Sequence, residues 1–176
     1  MTGGPRGAEA LARSARDGHG VVVVPAFTGL GAPWWDAEAR GAVFGLTRDA
    51  GLAEIAQATF DSCVFQGRDL IEAMRADAPS AFEDAALRID GGMAKSAWFS
   101  QRLADLTGLP VHRASYQETT ALGAALFAGV GAGVYGSVED AVKARPEAEV
   151  LTPAFDTVTR EAAYARWLDA LPRVRS

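Results

Sequence analysis

The stretch Ala86-Leu87-Arg88-Ile89-Asp90-Gly91-Gly92-Met93-Ala94-Lys95-Ser96 decides how the rest of the chain is read. Ala86 to Ile89 reads as a short buried strand, and Ser96 to Leu106 reads as a helix. A strand ending in two glycines before a helix lets backbone come within contact distance of a ligand, because neither glycine carries a Cβ. The same order aims free N–H groups and the positive end of a helix at whatever lies there, which favours phosphate. A glycine pair after a strand also serves simply as a tight turn. The flanking segments have to separate the two readings.

Downstream, Gly108-Leu109-Pro110 closes the helix and Val111-His112-Arg113 is strand-like. Thr119 to Gly129 reads as a helix rich in small residues, built to sit close against another backbone. Helices are also expected over Val138–Ala144 and Glu161–Leu171. From residue 86 onward the order strand–helix–strand–helix predicts crossover units on a mostly parallel sheet, an α/β fold. Upstream, a Gly/Pro-rich leader precedes a short helix over Ala8–Ala15, which Gly18-His19-Gly20 breaks. Val21–Val24 is a β-branched run expected as a buried strand. Pro25 to Arg40 is a long loop carrying Trp34 and Trp35, Gly41–Leu46 is a second strand, and Leu52–Met74 is a long helix by its apolar spacing.

Composition narrows the classes. With 176 residues, 49% of them apolar and 22% charged, the chain suffices for one domain with a proper core. A net charge of −5 argues against general nucleic-acid or anionic-membrane binding. Cys63, the only cysteine, excludes an intrachain disulfide and fits a reducing, cytoplasmic setting. His19 and His112 are too far apart for metal-ligand spacing. No apolar h-region marks the first 20 residues as a signal peptide, and no apolar run is long enough to cross a bilayer.

The motifs become specific as a set. Pro25-Ala26-Phe27-Thr28-Gly29-Leu30-Gly31-Ala32-Pro33-Trp34-Trp35-Asp36, followed by Ala39-Arg40-Gly41, resembles the loop typical of glycerol kinases. Gly41-Ala42-Val43-Phe44-Gly45-Leu46, with Glu54-Ile55 and Ala58-Thr59-Phe60-Asp61, resembles the second signature of the FGGY carbohydrate kinase family. The double-glycine stretch, with Gln101, Ala104-Asp105 and Pro110-Val111, is similar to that family's adenosine motif. Glu118-Thr119-Thr120-Ala121-Leu122-Gly123-Ala124-Ala125 matches the helix that follows it. The resemblance runs from Val21 to Val130 and implies part of the actin-like, ribonuclease-H-fold C-terminal ATP-binding domain of FGGY kinases. Residues 1–20 are then a leader and short helix, 21–145 the partial nucleotide-binding domain, and 146–176 an extension whose terminal helix packs on it.

By this resemblance Gly92 and Ser96 contact ATP, with Gly91 and Met93 as pocket walls. Many glycerol kinases carry Asn where this chain has Ser96, whose hydroxyl has shorter reach. The first phosphate loop, the Mg²⁺-linked carboxylate, the glycerol contacts and the catalytic Asp precede this segment in the family. The expectation is therefore an ATP/ADP partner, glycerol held through an upstream N-terminal domain, Mg²⁺ bound by residues outside this chain, and no catalytic residue within it. A homo-oligomer stays open. Residues 154–159 match poorly the region the family uses for regulatory contacts, so no such regulation is expected.

The other polar and aromatic candidates have plainer readings. Asp36 and Arg40 are expected to form a local ion pair, and Trp34 and Trp35 to anchor the loop over the core. Asp90 suits hydrogen bonds to loop amides. Cys63 is expected to pack on the helix's apolar face, and His112 to be structural. Lys95 either reaches a phosphate or stays a surface lysine.

Overall fold

The computed structural model describes residues 5–116 and 118–176, so the first four residues of the leader lie outside the described residues. The chain divides into two compact units, one of Met1–Asp84, Leu106–Gly108 and Phe155–Ser176, the other of Ala85–Asp105 and Leu109–Ala154.

In the first unit, helix α1 (Pro5–Ala12) begins on a proline, tolerated in a first turn where N–H groups have no intrahelical partner. Strand β1 (Val22–Val24) pairs antiparallel with β2 (Ala42–Phe44), placing Val22 opposite Phe44 and Val24 opposite Ala42. The valine run is buried along its length, as its β-branched character predicts. Helix α2 (Leu52–Asp77) lays Ala58 on Val21 and Val23. Its start is fixed by Glu54, whose carboxylate reaches back to accept the Gly51 N–H at 2.8 Å and the Arg16 N–H and Nε at 3.3 and 3.2 Å. These donors hold the Glu54 pKa down to about 2, the Gly51 amide contributing most.

The buried stripe of α2 differs from the apolar one expected. It includes Glu54, Ala58, Ser62, Phe65, Arg68 and Asp69, while Leu52, Cys63 and Met74 face solvent. Packing of Cys63 is thereby overturned; its thiol donates back to the Thr59 carbonyl. Two polar members of the stripe, Arg68 and Asp69, are partnered across the unit by helix α6 (Thr157–Ala170). Asp69 accepts from Tyr164 Oη at 2.7 Å and from Trp167 Nε1 and Trp34 Nε1 at 2.9 Å each. Arg68 donates to both oxygens of Glu161 at 2.7 Å and to the Leu106 carbonyl at 3.0 Å, with its guanidinium 4.0 Å from the Tyr164 ring centre. Phe65 stacks on Trp167 with ring centres 5.6 Å apart.

The loop between β1 and β2 is anchored through Trp34, as expected, but Trp35 is 79% exposed. The Asp36–Arg40 ion pair does not form. Asp36 instead accepts the N–H groups of Glu38 and Ala39 at 3.0 Å and that of Ser176 at 2.8 Å, while Arg40 turns to the Ala37 and Ala39 carbonyls and to Glu38. Local amides sit closer to an Asx side chain than a residue four positions on, and they win.

The second unit carries a three-stranded sheet of β3 (Leu87–Ile89), β4 (Val111–Arg113) and β5 (Glu149–Leu151) in that order. β3 and β4 are parallel, as the crossover through α3 (Ala97–Thr107) requires. β5, which no sequence signal marked, is antiparallel to β4, correcting the mostly parallel expectation. α3 clamps the chain after β5. Asp105 accepts from Gln101 Nε2 at 2.8 Å and from the Ala154 N–H at 2.7 Å, and Gln101 also donates to the Thr152 carbonyl at 2.9 Å. Helices α4 (Thr119–Gly131) and α5 (Val138–Lys143) pack on each other. The close backbone approach expected for α4 is not made: none of its residues is buried, and an added Cβ at Gly123 would meet nothing within 4 Å.

Candidate functional site

The turn after β3 is built by strand register. Ile89 lies opposite Arg113 in the parallel pair, and the Ala114 N–H donates to the Ile89 carbonyl at 3.0 Å, so the strand stops at Ile89. Gly91 then takes φ +85°, a left-handed conformation that a side chain strongly disfavours. Gly92 returns to ordinary helical angles, φ −62° and ψ −43°. Met93–Lys95 form one tight 3₁₀ turn, closed by the Lys95 N–H on the Gly92 carbonyl at 3.4 Å and the Ser96 N–H on the Met93 carbonyl at 3.1 Å. The helix therefore does not open on the glycine pair. It opens at Ala97, because Ser96 is extended and its hydroxyl oxygen accepts the Phe99 N–H at 2.9 Å, capping α3.

The two glycines are there for different reasons. Gly91 is demanded by the turn. Gly92 is not: alanine would adopt the same backbone angles, and its Cβ would meet no atom within 4 Å. Both glycines are exposed, and among the described residues neither donates its N–H to a protein acceptor. Gly91 lines a cavity of about 290 Å³ together with Asp90, Lys95, Arg113, Tyr116 and Glu149.

All four residues expected at the site, Gly91, Gly92, Met93 and Ser96, fall within this one turn. Met93 is 45% exposed. The oxygen of Ser96 is committed to the cap, which leaves its hydroxyl proton as a donor. Asp90 does not bind loop amides; it accepts from the Thr119 hydroxyl at the start of α4. Lys95 is exposed, and its carbonyl accepts from Arg113. Sequence reasoning missed Arg113 and Glu149, which strand register brings beside the turn, and Thr119, which reaches Asp90 from the start of α4. Among the described residues no three His, Cys, Asp or Glu side chains converge to hold a metal ion. The carboxylates beside the turn, on Asp90 and Glu149, already face Thr119 and Arg113, so the groups present here do not fit a divalent cation.

A strand ending in a glycine turn, with open backbone amides beside a polar cavity at the carboxyl end of a parallel strand pair, is the arrangement of a nucleotide-binding α/β domain. A family profile for the FGGY family of carbohydrate kinases, C-terminal domain, matches residues 5–132, and the chain belongs to that family. The glycerol kinase of Ectopseudomonas mendocina is 48% identical over 171 residues, which cover 97% of this chain and 34% of that protein. That of Rhodospirillum rubrum is 48% identical over 168 residues, 96% of this chain and 34% of the protein. The chain thus spans about a third of the length of the curated relatives it matches. The crystal structure of Plasmodium falciparum glycerol kinase with ADP superposes with a TM-score of 0.85 at 28% identity, covering 97% of this chain and 34% of that one. A gluconate kinase from Lactobacillus acidophilus, 24% identical, shares the fold with a TM-score of 0.76 over 95% of this chain and 34% of its own. Among the described residues no helix is long and apolar enough to cross a membrane.

Proposed function

We propose that this chain is the C-terminal part of a glycerol kinase and that its Asp90–Ser96 turn supplies the adenosine side of the ATP site. The reaction is ATP-dependent phosphorylation of glycerol to glycerol 3-phosphate in the cytoplasm. The observation that carries the reading is Gly92. Its conformation and surroundings accept a side chain, so the absence of one is best explained by the close approach of a ligand to its backbone. Gly92 presents its N–H to the nucleotide, Gly91 and Met93 form the wall beside it, and the Ser96 hydroxyl donates its remaining proton. Phosphoryl transfer also needs a cation, donors around the γ-phosphate and a base for the attacking hydroxyl. In this reading those groups, Mg²⁺ and glycerol itself are held by residues outside this chain, and the chain alone is inactive. With part of the cleft elsewhere, nucleotide affinity is low.

The test is a nitrogen-15 NMR titration with ATP. The amides of Gly91, Gly92 and Met93 should shift in a saturable manner at millimolar ATP, while those around Asp69 stay in place. A coupled assay with ATP and glycerol should give no product from the chain alone. Unmoved amides at millimolar ATP would refute the nucleotide assignment, and turnover would refute the absence of catalytic groups.

A further inference from the structure

Arg113 stands at the end of β4 with two sets of partners. On one side it faces its cross-strand neighbour Glu149 on β5, donating through Nε at 2.9 Å and again through Nη2. On the other its Nη1 points to the carbonyls of Ala94 and Lys95, at 3.4 and 3.3 Å. These are the carbonyls of the tight turn that follows the glycine pair. Each of the second set is long for a hydrogen bond, but the donor is charged and the guanidinium plane is already fixed by Glu149. The opposite shoulder of the turn is tied by Asp90, which takes the Thr119 hydroxyl.

We infer that Arg113, oriented by Glu149, is the positioning residue that holds the Gly91–Ser96 turn in the geometry in which Gly92 meets the nucleotide. The inference rests on the nucleotide reading of that turn given above. Its physical basis is that a pair of glycines has little conformational preference of its own. A 3₁₀ turn closed by bonds of 3.4 and 3.1 Å adds little rigidity. Something outside the turn has to remove its freedom before a ligand arrives, or the ordering is charged to binding. Arg113 does this from the neighbouring strand without occupying the space in front of the glycines, where an added Cβ at either would meet nothing within 4 Å.

The test uses the intact chain and two measurements. In the absence of ligand, backbone order parameters of Ala94 and Lys95 should fall from about 0.85 toward 0.6 in Arg113→Ala, with the urea midpoint and the α3 amides unchanged. Arg113→Lys should recover little of the loss, because an ammonium cannot span a carboxylate and two carbonyls. Glu149→Gln, which leaves the guanidinium but removes the charge that orients it, should loosen the turn in the same direction by less. ADP affinity, read from the Gly91 and Gly92 amide shifts, should then weaken roughly tenfold in Arg113→Ala. Order parameters unchanged in both Arg113→Ala and Glu149→Gln overturn the positioning role, as does equal ADP affinity in native and variant chains. If ADP moves no Gly91 or Gly92 amide in the native chain, the nucleotide reading falls instead, whatever the variants do to the turn.

Discussion

Removing the Asp69 carboxylate tests what holds the first unit together. The side chain is 3% exposed and accepts three hydrogen bonds from two separate segments: the loop (Trp34), and two positions of α6 (Tyr164 and Trp167). Burial pushes its pKa up, and the three donors pull it back. In Asp69→Ala the donors of Tyr164 and Trp167, on residues 9% and 0% exposed, lose their acceptor. Each orphaned buried donor costs about 1–3 kcal/mol, so the pair costs about 2–6 kcal/mol, while half-buried Trp34 can turn to water. Asp69→Asn keeps the shape. Its carbonyl can accept both indole N–H groups and its amide can donate to Tyr164 Oη, so only charge assistance is lost, about 1–2 kcal/mol. Against a total stability of about 5–15 kcal/mol the two variants separate clearly in urea unfolding followed by tryptophan fluorescence. If the alanine and asparagine variants unfold within about 0.5 kcal/mol of each other, the Asp69 acceptor does not hold the loop and α6 to α2.

The glycines should respond with opposite signs in the same urea assay: Gly91→Ala loses about 1–2 kcal/mol because its φ is +85°, whereas Gly92→Ala gains about 0.4–1 kcal/mol while weakening ATP binding. A Gly92→Ala chain that binds ATP as tightly as the native one removes the argument for close approach. Ser96→Ala should cost about 1 kcal/mol by uncapping α3, and Ser96→Asn, an equally good cap, should cost nothing measurable in thermal melts. Glu54 contributes on the acid side. Its folded pKa of about 2 lies below the ordinary 4.5, so its stabilisation is fully present above that value and is lost as pH falls toward 2. The melting-temperature gap between the native chain and Glu54→Gln should therefore shrink from pH 6 to pH 2, and a gap independent of pH contradicts the assignment.

Much of the fold was legible because it rests on local pattern. The valines of β1, the apolar run into Gly91, and the long helical period of α2 each announce themselves within a few residues. What was not legible depends on partners far along the chain. Asp69 on a helix looks like a solvated charge, and its acceptor role appears only when residues 35, 95 and 98 positions away arrive beside it. Arg68 and Asp69 are buried with such partners, and Cys63, which a purely apolar period would have placed inside, is exposed. β5 escaped notice for a related reason. Glu149 and Val150 are both exposed, so the strand has no buried alternation to betray it, and its pairing with β4 supplies its only signature.

The candidate site shows the same division at smaller scale. Its glycines are visible in sequence, but a three-residue strand such as β3 cannot aim a turn by its ladder alone. A short strand leaves the chain beyond it few backbone bonds to inherit; here the last is the Ala114 N–H on the Ile89 carbonyl. Direction must then come from side chains on neighbouring elements: Thr119 on Asp90, Arg113 on the Ala94 and Lys95 carbonyls, and Ser96 on the first turn of α3. They act at different points along the turn and the start of α3, and an added Cβ at Gly92 would still meet nothing within 4 Å. A backbone site of this kind gains its precision from the polar residues around the turn, which is why the glycines alone mark the place but not the means by which it is held.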